Sequence, residues 1–253
     1  MRSFFYARTG RPFFQAGPVP GQVGQALLAF FSPPICPVCD RVLEAATRTC
    51  RHCRGALSEA LADPVGRCGR CFSLDPHCIC SSRNIYFDRH VALYRLTPGW
   101  REVLHRWKFE QERWLWRYFA GALRRIGRRS SFLGSVDHVS FIGSGKGGLR
   151  FRSYQPCADP AFALSRWLGC SVGADVQKRR SRSQSAAGYA ARFLALHNSL
   201  ALEGGPFLAG RHVLLLEDLF TTGATANEAA RILKKNGVGE VSVLSLLVRD
   251  RSL

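Results

Sequence analysis

The chain has 253 residues, enough for one medium domain and a small module at roughly 100–200 residues per domain. Its 36 lysines and arginines against 18 acids give a formal net charge of +18, which favours nucleic acid, phosphorylated metabolites or anionic lipid as partners without choosing among them. No apolar run approaches the roughly 18 residues of a membrane span, and the start lacks the basic, apolar, small-residue succession of a secretory signal, so a cytoplasmic protein is expected.

Residues 1–29 mix Gly, Pro, Arg and Phe without a sustained period and are expected to form a disordered arm. A Cys-rich module is expected over residues 30–83. Eight of the ten cysteines fall there, as Cys36/Cys39, Cys50/Cys53, Cys68/Cys71 and Cys78/Cys80. Two thiolates from one tight knuckle bind the same ion, and two knuckles complete the tetrahedral Cys₄ cage that suits Zn²⁺. Eight thiolates fill one or two structural zinc sites. The spacing does not say which pairs share an ion, and His52 or His77 can replace a thiolate. A module this small has little core, so metal would supply much of its folding free energy.

Residues 84–253 are expected to form one α/β domain. His90–Arg95 reads as a strand that Pro98-Gly99 ends. From Trp100 to Arg129 the apolar spacing predicts two helices broken near Glu110. Arginines and tryptophans alternate in this stretch; the pattern fits single-stranded nucleic acid gripped by stacking and charge, but core packing of the aromatic face is favoured. Asp137–Ile142 is a predicted strand, followed by the glycine-rich loop Gly143–Gly148, in which Ser144, Gly145 and Lys146, with Arg150 and Arg152 nearby, offer an anion site. The P-loop spacing is absent. Pro160–Leu168 is a predicted helix, Gly173–Val176 a strand or connector, Lys178–Gln184 a basic run, Tyr189–Leu200 a helix and Glu203–Gly210 a loop.

Val213–Thr225 carries the most chemistry. Four apolar residues suit a strand covered on both faces, Glu217 and Asp218 follow, and Thr221, Thr222 and Gly223 form a small-residue turn where a helix is expected to start, running to a stop at Asn236-Gly237. Val241–Val248 is a further buried strand. Strands alternating with helices imply a mainly parallel sheet, with the site outside the carboxyl ends of the strands, where Glu217 and Asp218 fall.

The Val213–Thr225 pattern resembles the phosphoribosyl-diphosphate signature of type I phosphoribosyltransferases. With the cysteine knuckles, the chain resembles the ComF family of competence-associated phosphoribosyltransferase-like proteins from about Phe30 to Arg249. Supporting matches are Pro33–Cys39, Tyr94, Lys108-Phe109, Arg180, Gln184, Arg192 and Asn198. The resemblance implies a type I phosphoribosyltransferase-like fold that binds phosphoribosyl diphosphate with Mg²⁺. Glu217 and Asp218 would hold the ribose hydroxyls and flank the reacting carbon; Thr221, Thr222, Gly223, Ala224 and Thr225 would hold the 5′-phosphate; and Ser144, Gly145, Lys146 and Arg152 would face the diphosphate. It also implies a role in DNA uptake and natural transformation, with single-stranded DNA and a competence helicase or DNA-processing proteins as partners. A metabolic phosphoribosyltransferase with an unidentified acceptor and a non-catalytic regulator are the alternatives. The chain departs from the family at Phe141–Gly145, where relatives carry a proline-rich segment, and at Arg152–Pro156.

Overall fold

The structure, a computed structural model, describes residues 34–43, 47–75, 78, 80, 84–129, 135–143, 155–178, 200–203 and 206–250. Helix α1 (Arg51–Glu59) lies in the cysteine segment. The rest runs β1 (Arg89–Arg95), α2 (Pro98–Phe109), a 3₁₀ turn (Arg113–Trp116), α3 (Arg117–Arg129), β2 (His138–Gly143), α4 (Ala158–Leu168), β3 (Ser171–Lys178), β4 (Leu200–Leu202), a 3₁₀ turn (Pro206–Leu208), β5 (His212–Phe220), α5 (Ala224–Lys235) and β6 (Glu240–Val248). The strands form one six-stranded sheet in the order β1-β6-β5-β2-β3-β4. All neighbours are parallel except β3 and β4.

Strand β5 is paired on both edges and alternates its side chains between two cores. Leu214 and Leu216 pack with Trp100, Trp107, Phe119, Leu123 and Leu164 from α2, α3 and α4. Val213 and Leu215 pack with Ala229, Ala230 and Leu233 of α5. Burial on both faces is what the unbroken apolar run predicts.

Most expected elements form, and their ends have local causes. Pro98-Gly99 opens a helix instead of only closing a strand: the Trp100 N–H donates to the Thr97 hydroxyl at 3.4 Å, and Pro98 occupies a first-turn position where its missing N–H costs nothing. The expected break near Glu110 is present, since α2 stops at Phe109 and Gln111 adopts φ of 59°. The expected strand Gly173–Val176 extends over Ser171–Lys178. Leu200, expected to end a helix, begins β4, because its edge pairs with Lys178; Tyr189–Ser199 lies outside the described residues, as do the arm, residues 144–154 and most of the basic run.

The cysteine segment packs onto the sheet domain. Leu57 and Ala60 join one core, and Ala62 and Phe72 the other. The Trp100 indole N–H donates to the Leu57 carbonyl at 3.1 Å, Leu61 forms an antiparallel bridge with Tyr94 of β1, and Arg67 pairs with Asp250 at 2.7 Å.

Trp107 has no exposed surface and packs against Phe119 with ring centroids 5.7 Å apart. Trp107→Ala should cost about 3–5 kcal/mol of unfolding free energy; a denaturant midpoint within error of the parent would show that this face of the sheet is not the main core.

Candidate functional site

The carboxyl ends of β2, β3 and β5 converge with the last turn of α2. This places Gly143, Lys178, Glu217, Asp218 and Lys108 at one edge of the sheet, the usual ligand position in an open parallel sheet. The expected strand continues through both acids to Phe220. Glu217 lies in register with Ser245 of β6, and its Oε2 is shut off from solvent with no hydrogen-bond partner. Burial, reinforced by the neighbouring Asp218, pushes its carboxyl up to about 8, against the opposing pull of Lys108 and Lys178. Asp218 differs: the Lys108 ammonium lies 2.7 Å from its Oδ2, with side-chain exposures of 21% and 20%. Adjacent acids thus sit in unlike environments, one orphaned and one paired.

Cys157, buried just before α4, belongs to the same group of charges. Burial and the Asp218 carboxylate raise its thiol well above the ordinary value, so it is a neutral wall and no nucleophile.

Beyond Phe220 the chain turns through Thr221, Thr222 and Gly223. Helix α5 begins at Ala224, three residues later than the start expected at Thr221, because the Gly223 φ of 73° interrupts helical geometry. A Cβ on Gly223 would lie 2.4 Å from the Phe220 ring, so no larger residue fits this turn. The Ala224 N–H donates to the Thr222 hydroxyl at 3.3 Å, and Gly223 supplies no side-chain cap. First-turn N–H groups, including that of Thr225, face the start of the helix without intrahelical partners, an arrangement suited to an anion. Thr221 and Thr222 are exposed.

The eight N-terminal cysteines assemble in sequence order. Cys36, Cys39, Cys50 and Cys53 form one set and Cys68, Cys71, Cys78 and Cys80 another, the sulfurs of each within 4.8 Å of one another. His52 is not in the first set; His77 lies outside the described residues. In each set one thiol is held low. Cys50 is lowered to about 7, chiefly by the Cys53 N–H. Burial would raise Cys68, but the N–H groups of Cys71 and Arg70 outweigh it and bring it to about 6. Four sulfurs within 4.8 Å of one another suit a thiophilic metal.

Of the residues expected at the site, Glu217, Asp218 and the Thr221–Thr225 turn come together, while Ser144, Gly145, Lys146 and Arg152 lie outside the described residues. Lys178 entered the sequence reading only as part of a basic run, and Cys157 was not singled out. Lys108 was visible only through the family resemblance, since no spacing rule joins positions 108 and 218.

No protein-family profile matches the chain. It is 26% identical over 221 residues to "DNA utilization protein YhgH" of Salmonella typhimurium, covering 84% of this chain and 89% of that protein. It is 28% identical over 219 residues to "Competence protein F" of Haemophilus influenzae, covering 78% and 95%. The resemblance to the ComF family is therefore carried by homologues over most of the chain. Among solved structures, a hypoxanthine phosphoribosyltransferase from Staphylococcus aureus superposes with a TM-score of 0.33 at 16% identity, over 54% of this chain and 68% of that one. The UMP synthase of Leishmania donovani superposes with a TM-score of 0.30 at 18% identity, over 53% of this chain and 24% of that one, so this chain spans about a quarter of its length. The architecture has the expected form of a mostly parallel sheet flanked by helices, with the cysteine clusters before it.

A carboxyl raised on folding makes the folded state bind a proton that the unfolded chain has released. Stability attributable to Glu217 should therefore fall as the pH rises from its ordinary range near 4.5 to about 8, by up to about 1.4 kcal/mol per pH unit. Glu217→Gln should be more stable than the parent at pH near 8, with the gap closing at about pH 4; denaturant titrations at the two pH values check it, and equal gaps would remove the buried acid from the account.

Proposed function

We propose that this chain binds phosphoribosyl diphosphate with Mg²⁺ at the carboxyl end of β5 and acts, as a ComF-type protein, in the handling of single-stranded DNA during uptake. The observation that carries the ligand is Glu217-Asp218 standing beside the α5 turn, with Glu217 Oε2 buried and lacking a donor. A ribose diol supplies two hydroxyl donors at neighbouring atoms, matching two adjacent carboxyl groups. The 5′-phosphate then falls to the Thr221–Thr225 turn, where backbone N–H groups and threonine hydroxyls suit an anion. Ser144, Gly145, Lys146 and Arg152 are assigned the diphosphate on the resemblance.

Residue roles follow from the environments described. Asp218, paired with Lys108 at 2.7 Å, accepts from one hydroxyl. Glu217 accepts from the other and loses its proton more readily once that donor is in place, since a hydrogen bond to the charged form lowers a carboxyl pKa. Mg²⁺, when bound, neutralises the diphosphate and eases its departure. Any cation on a developing sugar charge would be met by the carboxylates. The Lys108–Asp218 pair also favours the alternative of binding without turnover, because it already satisfies one acid.

For the cysteine sets we propose structural Zn²⁺, one ion in each. We retain the division into an arm (1–29), a zinc module (30–83) and a phosphoribosyltransferase-like domain (84–253), and a cytoplasmic location. The DNA part draws on the printed names of the relatives, "DNA utilization protein" and "Competence protein F", and on the net charge of +18.

Glu217→Ala combined with Asp218→Ala should weaken phosphoribosyl diphosphate binding by about 100-fold or more, the loss of two charged hydrogen-bond acceptors. Calorimetry with Mg²⁺ measures it, and an unchanged affinity would withdraw the site. Diphosphate release in the presence of candidate acceptors separates transferase from binder. Replacing Cys36 and Cys39 by Ser should remove about one metal equivalent of two, read by mass spectrometry under native conditions; full occupancy on that variant would refute the ligand set.

A further inference from the structure

Residues 113–136 contain six arginines and no acidic residue. On α3 the outward positions are Arg117, Gly121, Arg124 and Arg125, and Arg128 follows at the same helical spacing in the sequence. Arg113, one turn earlier, is 60% exposed. Other helices of this protein answer their arginines with acids a turn away: Glu102 meets Arg106 on α2 and Glu228 meets Arg231 on α5. Helix α3 carries no acid in its own sequence, and its Arg124 and Arg125 are exposed. The helix dipole accounts for cations in the last turn. It opposes Arg113 and Arg117 at the start, and Arg113 is instead met from α4 by Asp159 at 3.2 Å.

The four tryptophans from Trp100 to Trp116 divide. Trp100 and Trp107 are buried and Trp116 packs against the core, whereas Trp114 is 36% exposed. Its indole helps line a groove of about 460 Å³ between the first cysteine set and α3, with Pro37, Leu43, Arg48 and Arg117. The wall bearing Arg48 is fixed to α3 by the Tyr118 hydroxyl, 2.6 Å from the Arg48 carbonyl and 2.5 Å from the Thr49 hydroxyl. Two acids lie near: Glu112 at the groove and Asp40 beside it, and both fall to Arg106.

We propose that single-stranded nucleic acid binds along the outer face of α3, with a base stacked on Trp114 in the groove and phosphates held by Arg117, Arg124 and Arg125. The proposal rests on the DNA part of the proposed function and says where the strand lies. An anionic membrane is the competing polyanion, and the packing argues against it. A basic amphipathic helix binds bilayers by sinking its apolar face, whereas Phe119, Ala122 and Leu123 of α3 are committed to the core. A duplex keeps its bases stacked and cannot offer one to the groove, while single strands stack on exposed aromatic rings. At its start the stripe is tied to α4, where Arg113 pairs with Asp159 at 3.2 Å.

The test uses the full chain with its metal bound and a fluorescent oligothymidylate, with anisotropy followed over a series of salt concentrations. Reversing Arg124 and Arg125 together to Glu should flatten the plot of log affinity against log salt by about 1.4, at about 0.7 for each phosphate contact. Trp114→Ala should weaken binding by about 5- to 100-fold with little change of slope, and Trp114→Phe should restore part of the loss. A matched reversal at Arg211 and Lys235, exposed just before β5 and at the end of α5, should leave the slope near the parent value. Circular dichroism and metal content confirm that each variant is folded.

The proposal fails if the Arg211/Lys235 control loses as much as the α3 variant, which would mean net charge alone, or if all variants bind like the parent, which places the strand elsewhere and leaves DNA handling intact. It fails too if the α3 variants lose phosphatidylserine vesicles but keep the oligonucleotide. A parent chain that binds no oligonucleotide at all sinks the DNA reading with it; phosphoribosyl diphosphate binding, measured separately, is untouched by any of these results.

Discussion

Strand β5 governs this molecule because it has no free edge and no free face. It is hydrogen-bonded to β6 and β2 and covered by α2–α4 on one side and α5 on the other. A strand in that position can carry polar side chains only at its end, and it carries two acids there. The burial that requires apolar side chains from Val213 to Leu216 also shuts Glu217 Oε2 off from solvent and separates Glu217 chemically from Asp218 one residue later. The site's electrostatics are thus a consequence of how deeply the strand is embedded.

Elements set by nearby residues were legible in the sequence. The apolar run of β5, the helical spacing of α2 to α4 and the Cys-x-x-Cys pairs each depend on neighbours a few positions away, and each appears as expected. What could not be read depends on contacts far apart in the chain. Lys108 reaches Asp218 across the domain, Cys157 joins the same group, and the order in which cysteine pairs assemble is fixed by the fold around them. The alternating tryptophans and arginines show the limit well: periodicity favoured burial, which holds for Trp100 and Trp107, but could not single out Trp114.

Three strand histidines show how the interior accommodates polar groups. His90 meets Ser245, His212 meets Ser242 and His138 meets Ser171, at 2.9, 2.8 and 2.7 Å. Each bond crosses to a neighbouring strand, and His138 is bound on its other nitrogen by Asp175 at 2.7 Å. Burial lowers His90 to about 3, leaving it neutral. These three imidazoles are cross-strand fasteners.

The bridge from Leu61 to Tyr94 has a further consequence. Strand β1 is the last strand on its side of the sheet, and the Ala62 N–H donates to the Leu93 carbonyl while the Arg95 N–H donates to that of Ala60. The stretch between the two cysteine sets therefore occupies hydrogen-bonding groups that would otherwise template another chain. A sheet with this border closed cannot grow outward from β1. Loosening the cysteine segment would first be felt as self-association through an uncovered strand, while the acid pair two strands away in β5 kept its shape.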